Sequence, residues 1–313
     1  MYSYEVELDH TADFSNQTFQ LYKLGPIYEF RKTTATNKEK TLAAQLCQNL
    51  KLHDGRQITR TQKQKDADNI LQGDLRRLHI DPINLPDIKS YDPEIKPLRF
   101  TIEILQFKDD RLTEHTFYML PSPTVPQNEK KPDAFEYYPL VLIKATNQIK
   151  QEIIAWFDKR YIATCTPLFM YPATMVDSVD IWIDSILDLQ EKLRVFASVP
   201  DQMLRPPLTL EYTTGDENLS TITVKISRPQ ALEICKRMSD PRQFLRTFEA
   251  HVENTAHFRL NTLTLYQVTS SVANVRKDGH VKISPHAYKS FAIRLLQSWV
   301  DLAVEKVFPN IGS

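Results

Sequence analysis

Glycine is scarce in this chain, and its scarcity excludes several classes of enzyme. Only six of the 313 residues are glycine. Loops that bind phosphate groups need clustered glycines, because their backbone N–H groups must be exposed to the ligand. No two glycines have the spacing of G-x-G-x-x-G or G-x-x-x-x-G-K, and none flanks a serine as in G-x-S-x-G. Nucleotide-binding enzymes and α/β-hydrolases are therefore not expected.

Patterns of metal ligands are also missing. The eight histidines and three cysteines form no H-E-x-x-H and no C-x-x-C motif, and the closest histidine pairs are six residues apart. The cysteines are odd in number and far apart, which favours a reducing intracellular compartment over a disulfide framework. We therefore predict neither a metal nor a cofactor.

Net charge and long apolar runs are lacking as well. Lysine and arginine number 39 against 39 aspartate and glutamate, so any surface that attracts nucleic acid must be local. The longest uncharged runs, 161–176 and 260–275, are broken by prolines or polar residues, and neither is expected to span a membrane. The N-terminus has no basic leader and no apolar run, which argues against secretion.

The mixture of patterns predicts an α+β fold. Strand and helix patterns follow each other without strict βαβ alternation, so we expect a large, mostly antiparallel curved sheet with packed helices. Four prolines in 81–97 and four in 121–132 mark loops. We divide the chain into 1–145, an N-terminal α+β part with proline-rich loops, and 146–313, a C-terminal α+β part that binds a partner.

Most elements are predicted by apolar spacing and turn residues. A hairpin is expected from strands 98–107 and 113–120. Helices are expected at 38–50, 66–78 and 172–189, whereas 56–65 is polar and predicted to be loose. Further strands are expected at 193–199, at 208–212 and, after a Gly215-Asp216 turn, at 220–226.

The C-terminal region carries the strongest pattern. Residues 258–274 alternate weakly, are rich in Thr, Val, Leu and Tyr, and predict one long strand. Asp278-Gly279 is typical of a tight hairpin turn, so 280–284 should pair beside that strand. Ser284 as N-cap and Pro285 at the first helical position predict a final amphipathic helix that packs on the sheet.

Two features could support catalysis, but each has a plainer interpretation. Asp177, Asp180, Asp184 and Asp188 share one helix face, and paired carboxylates can act as acid and base or hold Mg²⁺. Because the opposite face is apolar, a solvated face is favoured. Cys235 precedes two basic residues that could lower its pKa, but it continues an apolar row, so core packing is favoured.

Three stretches, in the same order along the chain, resemble the centromere protein L family. The first is FQLYKLGPIYEF at 19–30, similar to the family's aromatic-x-Leu-Tyr-x-Leu-x-Pro-Leu-Tyr-x-Phe segment. The second is Trp156-Phe157 followed by Thr166-Pro167-Leu168 and a helix that ends at Trp182. The third is TSSVA at 269–273, DGHVKI at 278–283 and the helix after them. His280 stands where the family usually has lysine.

The resemblance implies a non-enzymatic subunit of the inner kinetochore, located in the nucleus at the centromere. It implies a heterodimer with a centromere protein N counterpart, assembly with other inner kinetochore subunits, and contact with centromeric nucleosome DNA together with the partner. A long strand with a free edge is an aggregation hazard that pairing with a partner strand removes. The candidate partner-binding residues on the C-terminal hairpin are Leu263, Leu265, Tyr266, Val268, Val272, Val281 and Ile283.

DNA contact would need local basic clusters, since the net charge is zero. Two consecutive helices and the hairpin carry such clusters, although solvated helix faces often do so. We expect them to line one wall of a groove whose other wall the partner supplies. The candidate DNA-binding residues are Lys236, Arg237, Arg242, Arg246, Lys277 and Lys282.

Two other classes of function remain open. A general intracellular adaptor would share the long strand and the lack of catalytic motifs. A metal-dependent hydrolase or nuclease would have to use the carboxylates between Asp177 and Asp188.

Overall fold

The structure is a computed structural model that describes residues 10–56, 72–124, 134–195, 206–214, 220–238, 240–285 and 287–307. The chain divides into two compact units. Among the described residues, unit 1 is built from Leu21–Pro167 and 303–307, and unit 2 from 10–20 and Leu168–Leu302. The division after residue 145 stays a prediction.

Unit 1 contains a mostly antiparallel sheet, a separate pair of short strands (Ile27–Tyr28 with Phe135–Glu136) and two helices. The strands are β1 (Thr18–Leu24), β2 (Ile27–Tyr28), β3 (Leu52–Asp54), β4 (Gly73–Pro82), β5 (Leu98–Gln106), β6 (Arg111–Leu120), β7 (Phe135–Glu136), β8 (Leu140–Lys144) and β9 (Cys165–Pro167), and the helices are α1 (Ala35–Asn49) and α2 (Asn147–Tyr161). The order is β8-β6-β5-β4-β3, with the second half of β1 next to β8 and β9. Only the short β3 is parallel to its neighbour.

The unit 1 core forms where the two helices meet β5 and β6. Phe100 and Phe117 stack with ring centroids 4.1 Å apart, and Trp156 of α2 packs edge-on against Phe100. The Trp156 indole N–H donates to Thr41 Oγ1 of α1 at 3.2 Å. The predicted β5–β6 hairpin is confirmed, since β5 pairs with β6 along its whole length.

The predicted helix over 66–78 is wrong in its described part, because Gly73 begins strand β4. A β-bulge between Leu75 and Arg77 shifts the register against β5. The extra residue turns Leu75 and Leu78 toward the same side, and both are buried. Their three-residue spacing therefore imitates a helical period. Residues 57–71, where the loose segment and the helix start were predicted, lie outside the described residues.

Unit 2 also consists of antiparallel strands and helices. Its remaining elements are β10 (Leu208–Thr213), β11 (Thr221–Ile226), β12 (Thr264–Thr269), β13 (Ala273–Arg276), β14 (His280–Ile283), α3 (Pro172–Val195), α4 (Arg228–Lys236), α5 (Phe244–Ala256) and α6 (Lys289–Val307). The strand order is β11-β10-β12-β13-β14 followed by the first half of β1. The predicted α+β class with a large, mostly antiparallel sheet is confirmed.

The single long strand predicted over 258–274 is wrong. His257 ends α5 in the left-handed conformation, with φ 54°, and a 3₁₀ turn precedes β12. A second turn separates β12 from β13, where Ser270 Oγ accepts hydrogen bonds from the N–H groups of Val272 and Ala273 at 3.2 Å each. A serine side chain thus forms a turn without glycine or proline.

Two further predictions in unit 2 need correction, and one is confirmed. Residues 193–195 continue helix α3 instead of forming a strand, and 196–199 lie outside the described residues. The last helix begins at Lys289, because Ser284 and Pro285 form a separate turn closed by a hydrogen bond from Ala287 N to Ser284 O. The Asp278-Gly279 hairpin is confirmed, with Gly279 at φ 84°. The Gly215-Asp216 turn lies outside the described residues.

Candidate functional site

The unit 2 sheet has one apolar face, which carries the helices. A cross-strand row of apolar side chains runs through the paired residues Val224, Leu210, Val268, Val275, Val281 and Phe19. All but Val224 are buried. The Tyr212 hydroxyl on the same side donates to Glu249 Oε1 of α5 at 3.1 Å, and Phe244 of α5 packs against Trp182 of α3. Helices α3 and α5 therefore lie on this side.

The opposite face of the unit 2 sheet is polar, because side chains alternate along each strand. One row across it consists of the paired residues Lys225, Thr209, Thr269, Asn274, Lys282 and Thr18. The next row contains Thr223, Glu211, Gln267, Arg276, His280 and Gln20. The side chains of both rows are exposed or half-buried. We call these two rows the polar face.

Positive charge dominates the first row of the polar face. Lys225 and Lys282 belong to it, the row has no acidic residue, and neither lysine forms an ion pair within the described ranges. The two lysines are four strands apart, about 19 Å at the usual strand spacing. They can therefore contact two different phosphate groups of a nucleic acid, but not the same one.

The charge of Arg276 in the second row is partly neutralised by its neighbours. Its Nη2 donates to Tyr266 OH and to Asp278 Oδ2, both at 2.6 Å. His280 Nδ1 lies 3.0 Å from the other carboxylate oxygen of Asp278. The hydrogen bond with Tyr266 raises the pKa of Arg276, and Asp278 raises it further against the effect of burial. This cluster fixes the end of the β13–β14 hairpin.

The six predicted DNA-binding residues do not share one side of unit 2. Lys282 lies on the polar face, and Lys277 is exposed in the hairpin turn beside it. Lys236 and Arg237 lie at the end of α4. Arg242 lies just before α5 and Arg246 within it, and α5 lies on the apolar side. Lys236 and Arg237 also form ion pairs with Glu233, at 3.3 and 3.1 Å. A single wall of six basic residues is therefore not formed within this unit.

The predicted partner-binding residues are mostly interior. Strand β12 pairs with β10 on one side and β13 on the other, so the free edge expected there does not exist. Val268, Val272, Val281 and Ile283 are buried, whereas the remaining three candidates, Leu263, Leu265 and Tyr266, are half-buried. Their role in partner binding stays a prediction.

Strand β11 has the free edge that β12 lacks. In the described part of unit 2 it pairs with β10 alone. Its sequence, TITVKI, is almost entirely β-branched, and Thr221, Thr223 and Lys225 are exposed. Such an edge offers a row of unpaired backbone N–H and C=O groups to an added strand. The strand predicted at 220–226 is confirmed as β11, but its edge position was not predicted, because apolar alternation does not show which strand lies outermost.

The acidic face of α3 is not fully solvated, contrary to the favoured interpretation. Ser298 of α6 donates to Asp177 Oδ2 at 3.3 Å, and Arg294 of α6 lies 2.7 Å from Asp184 Oδ2. Between them, Asp180 Oδ1 is buried with no hydrogen-bond partner. Burial, followed by repulsion from the two neighbouring carboxylates, raises the pKa of Asp180 to about 7. Arg242 lowers it in part.

Replacing Asp180 with asparagine is expected to stabilise the protein above neutral pH. Because the folded pKa is raised from 3.8 to about 7, the folded state binds more protons than the unfolded state between these values, and stability falls as pH rises. With allowance for solvent screening, the gain in unfolding free energy at pH 8 should be about 1–2 kcal/mol. Urea unfolding at pH 4 and pH 8 checks this: a gain that did not shrink toward pH 4 would contradict it.

The described residues give little support to catalysis. They contain no group of three or more metal-ligating side chains, and Asp184 forms an ion pair with Arg294. Burial raises the pKa of the Cys235 thiol, which is the opposite of what a nucleophile needs. None of the described helices is long and apolar enough to cross a membrane.

Comparison with known proteins agrees with the resemblance seen in the sequence. A comparison with curated proteins found no match. A family model described as centromere protein L matches residues 13–304 of the 313. The match therefore covers nearly all of unit 1 and unit 2. The chain belongs to the centromere protein L family, whose members are structural proteins of the kinetochore at the centromere.

Proposed function

We propose that this chain acts in the nucleus as a non-enzymatic inner kinetochore subunit, which pairs with a centromere protein N counterpart and holds centromeric DNA in that pair. The observation that carries the DNA-binding part is the polar face of unit 2. Its first row contains two lysines and no acidic residue in a chain with no net charge. Local positive charge of this kind attracts phosphate groups without an overall field.

The proposed partner site is the free edge of β11. A strand of the centromere protein N counterpart would pair with this edge and extend the unit 2 sheet. Backbone hydrogen bonds would supply affinity, and the alternating side chains of β11 would supply specificity. Since Lys225 belongs to β11, the partner strand would lie next to the first row of the polar face. The added strand would then continue the surface that contacts DNA.

Weak DNA binding by the chain alone and stronger binding by the pair are expected, because few phosphates are contacted by one sheet face. Each phosphate that a lysine neutralises releases counterions, so the affinity falls with salt. In the co-expressed pair, both Lys225 and Lys282 are replaced by glutamine. This double substitution should reduce the slope of log Kd against log salt concentration by about 2. Affinity for duplex DNA at low salt should fall by at least about tenfold.

Fluorescence anisotropy with a labelled duplex, over a series of salt concentrations, measures both quantities. The matched control replaces Arg242 and Arg246, on the opposite side of the sheet, with glutamine. That control should leave affinity and salt dependence nearly unchanged. If the control lost DNA binding and the Lys225/Lys282 variant kept it, the helical basic residues would form the interface, and the polar face would not.

A further inference from the structure

A cavity of about 610 Å³ opens at one end of the unit 1 core. Its apolar wall consists of Leu50, Leu52, Ile104, Phe107 and Ile149. The volume lies within the range of sites that bind organic ligands, roughly 300–1,000 Å³, and is far too large for a few water molecules. Phe107 at the β5–β6 turn is 38% exposed, so the cavity has an apolar rim that faces solvent. We call this cavity the α2 pocket.

The first turn of α2 forms the polar wall of the α2 pocket. Thr146, the N-cap, makes no side-chain hydrogen bond to the helix. Asn147, Gln148 and Ile149 follow it, and all four residues line the cavity. In the described structure, the backbone N–H groups of these three residues have no acceptor. A helix start of this kind carries partial positive charge and binds anions.

His115 is a second and independent sign of a ligand. It lies on β6, lines the α2 pocket and is only 5% exposed. Its ring makes no hydrogen bond within the described ranges, so the ring nitrogens are available to a ligand in the pocket. Burial, followed by the nearby Lys144, lowers the pKa of His115, while Glu114 opposes the change. The neutral ring therefore has one N–H to donate.

We propose that the α2 pocket binds a phosphorylated serine or threonine of a partner protein, together with an adjacent apolar side chain. The phosphate would accept hydrogen bonds from the first turn of α2 and from His115. Lys108, exposed at the rim, would add charge. The apolar side chain would contact Leu52 and Phe107. This inference concerns unit 1 and does not rest on the proposed DNA contact.

The chemistry of the donors favours a phosphate over a carboxylate. The residues that carry three backbone N–H groups without an acceptor, one imidazole N–H and one ammonium group all line the cavity. A phosphate monoester has three terminal oxygens in tetrahedral arrangement and close to two negative charges at pH 7, so it can use all these donors. The open rim favours a peptide over an enclosed metabolite, because the ligand chain can continue past Phe107 into solvent.

The experiment uses the full chain and a peptide library with a fixed phosphoserine and random flanking residues. The chain should retain phosphorylated peptides with Leu, Ile or Phe next to the phosphoserine, and should not retain the same library without phosphate. For a selected peptide, Asn147→Pro should weaken binding about tenfold, because it removes one N–H donor to a charged group. Asn147→Ala, which keeps that N–H, should change the affinity less than about twofold.

Asn147→Pro is a suitable variant because the helix tolerates it. Asn147 is the first helical residue, where proline fits, and Thr146 already has the extended conformation that a following proline requires, with φ −64° and ψ 158°. As a second readout, NMR of the histidine side chains should show that the peptide raises the pKa of His115.

Three results would overturn the proposal. One is equal retention of the two libraries. Another is equal affinity of the proline and alanine variants. The third is that the chain binds phenyl phosphate although the library yields no binding peptide. The cavity would then be a small-molecule site. Loss of DNA binding in the Lys225/Lys282 variant is measured separately, so either proposal can fail without the other.

Discussion

One of Thr223 and Val224 directs its backbone toward the free edge of β11, and a proline at that residue is expected to weaken pairing with the centromere protein N counterpart about 100-fold while leaving the chain folded. In an antiparallel pair, successive residues direct their backbone N–H and C=O groups alternately toward the neighbouring strand and away from it. One of these two residues therefore bonds to β10, and the other presents its backbone to the free edge. Proline at the outward position removes a donor and places its ring against the incoming strand.

The two variants serve as controls for each other. The outward proline should weaken the pair by about 100-fold, or about 2.7 kcal/mol, with an unfolding free energy within about 1 kcal/mol of the parent. The inward proline should destabilise the chain itself, because it breaks the β10–β11 ladder. Titration calorimetry and urea unfolding separate the two effects. If both folded variants bound the partner normally, β11 would not be the partner site, and Leu263, Leu265 and Tyr266 would be tested next.

Replacing Gly73 with alanine is expected to lower the unfolding free energy by about 3 kcal/mol. Gly73 begins β4, between β3 and β5. A Cβ atom at this position would clash with the carbonyl oxygen of Leu105. Because that oxygen belongs to the backbone of a paired strand, neither strand can move without losing ladder hydrogen bonds. The strain therefore cannot be relieved by rotation of a side chain.

Gly25→Ala is the matched control in the same unit. Its Cβ would lie 3.7 Å from the nearest atom, the carbonyl oxygen of Thr164, which is an ordinary contact. This variant should be neutral or slightly stabilising, by up to about 1 kcal/mol, because alanine restricts the unfolded chain more than glycine does. Urea unfolding of both variants checks the difference. Equal stabilities would show that β4 and β5 separate more easily than the described register implies.

Sequence reasoning succeeded where a local pattern and a buried face coincide. The stripe on α6 was predicted from spacing, and Phe291, Leu295, Leu296 and Trp299 are indeed buried. The Asp278-Gly279 turn was predicted because few residue pairs adopt a left-handed hairpin turn easily. The family resemblance rested on three short blocks, and the matching family model covers 13–304.

Sequence reasoning failed where the outcome depends on long-range pairing. The bulge beside Leu75 gave a strand the spacing of a helix, and the Ser270 turn divided a segment that has neither glycine nor proline. Arg276 was visible beside the hairpin, but its bonds to Tyr266 and Asp278 were not. Lys225 was missed because it is an isolated lysine, and only the register places it in one row with Lys282.

The amino-acid sequence by itself determined the α+β class, the absence of phosphate-loop and metal motifs, the C-terminal hairpin and helix stripe, and membership of a kinetochore family. These depend on neighbouring residues, whose spacing and turn chemistry act locally. Tertiary structure alone decided which strand has a free edge, which basic residues share a face, and that His115 lines the same cavity as the start of α2. Strand order and register join residues far apart in the chain, and a shift of one residue turns every side chain of a strand to the opposite face.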